Sequence, residues 1–249
     1  MEAIKGEVKV MRDKLESIEY FQKRYEQDIY WLKYAISRYN RILEKQGKEG
    51  QGIGICQIDI INKSLCKIYT GYSLGIDVED LIEEANLLID NTLSSWKGTV
   101  YGNVEQALEV GIIFDIHDPK IFKLIELLKK YDYQDKFLDL LANYINPEWE
   151  IRSDELQFKK AVGPLVEVVE LAKTDKAKAV KRLKTYLDKQ WFNMQKEGLI
   201  TNRDHLKKDK YRGYWSIESA ALVKMLNLDD EELKECKYYP YDLAHYNRS

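Results

Sequence analysis

The side chains in this 249-residue chain best suited to nucleophilic or metal chemistry are His117, His205, His245, Cys56, Cys66 and Cys236. No histidine lies three or four residues from another His or Cys, so no helical face presents a ligand pair. Cys236 with His245 would lack the further ligands that zinc takes. Arg203-Asp204-His205 has the residue types of a catalytic cluster, but adjacent residues on a helix point in different directions. Gly47 to Gly54 reads GKEGQGIG and suggests a phosphate loop, yet no strand precedes it and no Gly-Lys-Ser/Thr closes it. Paired carboxylates such as Asp229-Asp230 are frequent in so acidic a chain and have no separate claim as a site. The residues assemble no catalytic set, so neither an enzyme, a cofactor nor a metal is expected.

Charge is more informative than chemistry. The formal net charge is −3, but residues 51–150 carry 8 basic and 17 acidic side chains, against 11 and 7 over residues 151–200. The negative middle argues against direct contact with nucleic acid and suits a basic protein partner. Its densest part holds Asp77, Glu79, Asp80, Glu83, Glu84 and Asp90, with no Lys or Arg between Lys67 and Lys97. Asp115 and Asp118 extend it. A solvated acidic face is the commoner meaning of such a run; half of a docking surface is the functional one. A second candidate is Asp229, Asp230, Glu231 and Glu232 beside Tyr238, Tyr239 and Tyr241, where aromatic enrichment favours an interface. The lysines at 176, 178, 181, 184 and 189 lack interleaved exposed aromatics and read as a solvated helix face.

The elements that must hold these residues are helices. With 45% hydrophobic residues and only 4 prolines, the composition suits a folded helical protein. An all-α fold is expected: a compact assembly of antiparallel helical hairpins with a long N-terminal helix and no significant sheet. That first helix runs from about Met11 to Gln46 on a seam of Tyr25, Ile29, Leu32, Ile36, Tyr39 and Leu43. Further helices are expected over 55–69, from an Asp77 cap to Trp96, over 103–114, from Asp118-Pro119 to Tyr131, and from Phe137 to Asn146-Pro147. A helix from Leu156 is expected to break at Gly163-Pro164 and resume to Ala172, and a basic one spans 176–194. A soft boundary divides an N-terminal region, 1–115, from a C-terminal region, 116–249. MEAIKGEVKV has no apolar core for a leader, and no run is long enough to span a bilayer. Three widely spaced cysteines fit reduced thiols, and a cytoplasmic protein is expected. The oligomeric state stays open, with a homodimer among the options.

The densest pattern is YRGYWSIESAALVKMLNLDDEELKECKYYPYDL, from Tyr211 to Leu243. Gly213-Tyr214-Trp215 leads into a helix with Ser216 as N-cap and Glu218 in the first turn. Ala220 and Ala221 permit another helix to approach closely. Asp229 and Glu232 have capping-box spacing for a second start, and Pro240 forbids helix continuation before Tyr241, Asp242 and Leu243. On physical grounds this stretch specifies a fold and not a reaction.

Gly213-Tyr214-Trp215, then Glu218, Ala220-Ala221, LDD and YYPYDL, resembles the C-terminal half of the PoNi family, immunity proteins for PoNe-type bacterial DNase toxins. Arg12-Asp13 followed by Glu19-Tyr20-Phe21 is similar to the companion N-terminal region. The resemblance implies a non-catalytic cytoplasmic protein that binds and neutralises a cognate, basic DNase toxin delivered by a secretion system. The alternative class is a helical scaffold or adaptor with another partner. Family likeness does not locate the contact residues, and GYW and YYPYDL are assigned to the fold.

Overall fold

The computed structural model describes residues 10–117, 119–194 and 211–247. Among them there are helices and no strands, as the sequence predicts. The longest pair is a hairpin of α1 (Ile18–Gln46) and α2 (Ile53–Leu74). A 3-10 turn at Glu79–Leu81 leads into α3 (Ile82–Ser95), then α4 (Tyr101–Ile113), α5 (Pro119–Lys130) and α6 (Lys136–Ile145). A second hairpin joins α7 (Lys159–Ala172) to α8 (Lys176–Thr185), which passes through a π-helical turn at Tyr186–Trp191 into the short α9 (Phe192–Met194). α10 (Ile217–Leu226) and α11 (Tyr241–Ala244) complete the order. No described helix is long and apolar enough to cross a membrane.

α10 has no solvent face through its first two turns: Ile217 to Val223 are all buried. It lies against α4 and α7, and Ala220 and Ala221 are the small residues that let these helices close in. A helix buried all round belongs to the centre of a core. One continuous apolar cluster runs from Phe21 to Tyr246, crossing residues 115 and 116 without a break. A satellite of Leu32, Ala35 and Ile60 joins the distal part of the α1–α2 hairpin, with Leu87 of α3 against it.

Several boundaries depart from expectation for local reasons. α1 starts at Ile18 and not near Met11, because the Asp13 carboxylate takes the N–H groups of Leu15 and Glu16 in a turn and Ser17 caps the helix through Tyr20 N–H. Gly163-Pro164 does not interrupt α7; Pro164 sits in its second turn. Asp229 opens no α-helix. A 3-10 turn, Glu231–Leu233, forms instead, and the neighbouring Asp230 carboxylate is drawn inward. Ser216 occupies the expected cap position, but its hydroxyl pairs with Ser219 Oγ at 2.6 Å and not with backbone. Asp118 lies outside the described residues, and so does Arg203-Asp204-His205.

Candidate functional site

The motif residues of both chain ends converge on the C-terminal end of α2. Arg12 donates through Nε to Asp242 at 2.5 Å, and through Nη1 to the carbonyls of Tyr72 (3.1 Å) and Ile76 (2.9 Å). Its guanidinium lies 4.5 Å from the Tyr72 ring centroid. Tyr211 donates its hydroxyl to Asp13 at 2.6 Å, and Tyr20 donates to the Tyr211 carbonyl at 2.9 Å. Burial and the Asp13 carboxylate push the Tyr211 phenol well above its ordinary value. Trp215 Nε1 donates to Ser73 Oγ at 2.8 Å, while Ser73 donates to the Arg212 carbonyl at 2.8 Å. Gly213 has φ +101°, and a Cβ there would collide with Ser73 Oγ and the Trp215 indole, so only glycine fits.

Arg212 forks onto Asp28, with Nε and Nη2 at 2.9 and 2.8 Å. Asp28 is fully buried in α1 and also accepts from Thr70 at 2.7 Å. The buried pair is thus bidentate and its remaining lone pairs are used, the geometry that a buried charge requires. On the other side, Ser216 N–H donates to the Tyr238 carbonyl, Tyr238 stacks on Phe192, and Pro240 is buried ahead of α11. These contacts enclose a cleft of about 500 Å³ bordered by Arg12, Tyr72, Trp215, Tyr239 and Asp242.

Glu218 lies in the first turn of α10, as expected, and is also one of three buried carboxyls around one cavity. Glu105 and Glu109, four residues apart on α4, face it around a cavity of about 30 Å³ that Tyr69 and Tyr186 also line. Tyr186 donates to Glu218 at 2.9 Å, whereas Glu109 Oε1 has no hydrogen-bond partner among the described residues. Burial raises all three carboxyls above the ordinary range, and their mutual repulsion raises Glu105 and Glu109 further. Sequence reasoning passed over Glu105 and Glu109. The available signal was a like-charge pair at helical spacing within an otherwise apolar segment.

The acidic candidates separate by burial. Glu79, Asp80 and Glu83 are exposed and form no ion pair among the described residues, on a turn and helix anchored by buried Leu81, Ala85, Leu88 and Ile89. Asp77 is half-buried, and Asp90 is exposed and paired with Lys120 at 3.1 Å. Glu84 leaves the surface set: it is buried and paired with Lys67 at 2.5 Å. Burial still raises its carboxyl, with Lys67 acting in the opposite direction. Asp115 is half-buried and held by Lys224 at 2.8 Å. In the C-terminal cluster Asp229, Glu231 and Glu232 are exposed and Tyr241 and Tyr238 half-buried. Asp230 and Tyr239 are buried and bonded to each other at 2.5 Å, with His245 Nε2 3.2 Å from Asp230. Both surfaces can present carboxylates to a cationic partner. Among the described residues, no group of three or more His, Cys, Asp or Glu side chains is placed to hold a metal ion.

Residues 133–243 match the family model of the C-terminal region of PoNe immunity proteins, PoNi. That stretch carries the GYW, LDD and YYPYDL motifs. No curated protein matches the chain. Among solved structures, protein PA2201 from Pseudomonas aeruginosa is similar with a TM-score of 0.68 and 20% identity, over 95% of this chain and 90% of that one. At that identity the likeness concerns the fold.

Proposed function

We propose that the protein is an immunity protein that captures a cognate nuclease toxin by direct contact, through the face that carries Glu79, Asp80 and Glu83. The C-terminal family match implies immunity against PoNe toxins. The observation that supports capture by this face is three exposed carboxylates with no ion pair among the described residues, on a support of buried apolar side chains. A nuclease must hold phosphates, so its cleft is electropositive, and fixed carboxylates can steer toward it and cover it. Asp77 and Asp90 flank this face. The second placement, Asp229, Glu231 and Glu232 with Tyr238 and Tyr241, has the aromatic neighbours that anchor many interfaces.

The test is a calorimetric titration into the nuclease domain encoded beside this protein, with plasmid cleavage followed in parallel. Tight, salt-sensitive binding near one-to-one that stops cleavage is expected. Glu79→Lys with Asp80→Lys and Glu83→Lys should weaken it at least about tenfold, since like charges across an interface are strongly disfavoured. Reversing Asp229, Glu231 and Glu232 instead should leave it nearly unchanged. If only the second reversal acts, the placement moves to the C-terminal cluster, and if neither does, capture through an acidic face is wrong.

A further inference from the structure

The back of α1, turned away from the core, carries an aromatic cluster with no internal role. Tyr30, Trp31 and Tyr34 are 61%, 46% and 47% exposed, and their rings meet edge to face at 5.1 and 5.8 Å. Large rings packed edge to face in solvent are uncommon on a monomer and frequent at interface centres. Beyond them no residue from 36 to 52 is fully buried, so the distal hairpin stands clear of the core. This face is also cationic. Residues 30–46 hold Lys33, Arg38, Arg41 and Lys45 against Glu44 alone, and Arg38 and Arg41 form no ion pair among the described residues.

We propose that this face is a self-association surface, packing against the Glu79–Asp80–Glu83 face of a second copy. Charge complementarity selects that occupant. The aromatic face is basic where the toxin is expected to be basic, whereas the chain itself offers an exposed, unneutralised acidic face on the neighbouring α3. α1 and α3 share the satellite cluster, with Ile36 and Tyr39 on one side and Leu87 on the other, so the two faces belong to adjacent elements. A two-fold pairing then makes the contact twice, each α1 against the other copy's acidic turn, as an isologous interface requires. The acidic half of this contact is also the toxin face proposed above, so dimer and toxin complex exclude one another.

The test uses the full chain without toxin, so its failure is separate from failure of the immunity reading. Sedimentation equilibrium across the micromolar range should show a monomer–dimer equilibrium that weakens with salt. Trp31→Ala with Tyr34→Ala should raise the dimer Kd at least about tenfold. Arg38→Glu with Arg41→Glu should be monomeric alone, as should Glu79→Lys with Asp80→Lys and Glu83→Lys. An equimolar mixture of these two variants should form a heterodimer, because every reversed face then meets its opposite. Unchanged far-UV melting curves establish that these surface variants fold. A monomeric wild type, a dimer indifferent to the reversals, or a mixture that stays monomeric would each overturn the proposal. Loss of toxin binding by the Trp31/Tyr34 variant of a monomeric wild type would assign the face to the toxin instead.

Discussion

At the scale of single residues, the fold depends on a few buried charges whose partners lie far along the chain. Asp28 is fully buried and sits 184 positions from Arg212, its bidentate partner. Arg212→Met should cost about 3 kcal/mol in urea denaturation, because the buried Asp28 loses its bidentate partner and keeps only Thr70 and the more distant Arg24. Adding Asp28→Asn should recover part of that loss. The three carboxyls around the small cavity have a different signature. Their ordinary value is 4.5 and burial raises it. As pH climbs past the ordinary value, the unfolded chain releases protons that the native state retains, so native stability falls until the buried groups also ionise. Glu109→Gln removes one of these groups. Thermal melts from acid to alkaline pH should therefore show a flatter profile for the variant, with its advantage over wild type greatest at alkaline pH. Equal slopes would mean that Glu109 is ionised in both states. Neither charge set was legible in the sequence. Asp28 follows Gln27 on what periodicity presents as an ordinary helix, and nothing local shows that Thr70 and Arg212 wait opposite.

At the scale of elements, periodicity served well wherever a helix has one wet face and poorly where local hydrogen bonds compete. α5 and α6 lie close to their expected spans because apolar residues recur at helical spacing and end at clear stops, whereas α3 starts at Ile82, after a 3-10 turn, and not at the expected Asp77 cap. Pro164 misled, since a proline in the second turn disturbs few intrahelical bonds, and α7 accepts it. Asp229 to Glu232 had a capping-box pattern, but tertiary bonds to Tyr239 and His245 claimed Asp230. Glycines divide in the same way. Gly213→Ala should lose about 2–4 kcal/mol, from a left-handed backbone and a collision with Ser73 and Trp215. Gly54→Ala, inside α2 with nothing within 4 Å of the added methyl, should gain about 0.5–1 kcal/mol. Chemical denaturation of the pair checks both signs, and a stabilised Gly213→Ala would contradict the close packing at the motif turn.

At the scale of the whole molecule, the motifs singled out in the sequence are neighbours in space. Arg12-Asp13, the end of α2, the GYW turn and YYPYDL form one bonded junction. What the sequence held back is orientation: which carboxylates point outward. Glu84 and Asp230 were indistinguishable from their neighbours until Lys67 and Tyr239 were placed beside them. Arg12→Ala should cost about 2 kcal/mol in melting or denaturant experiments, mainly by removing the donor to the Ile76 carbonyl and one of the two donors to the Tyr72 carbonyl, which Gly75 N–H also reaches. Asp242→Ala should cost at most about 1 kcal/mol, because its carboxylate is half exposed.

That junction also sets a clock. Arg12 must wait for Asp242, 230 positions later, and Asp28 for Arg212. At about 5–20 residues per second, translation separates Arg12 from Asp242 by roughly 10 to 50 seconds. During that interval the α1–α2 hairpin is made, but its buried Asp28 has Arg24, 3.9 Å away on the same helix, in place of the bidentate Arg212, and its end has no lid of aromatic rings. The latch therefore closes only once Asp242 has been made, and a chain cut short before it keeps its first helix unlatched.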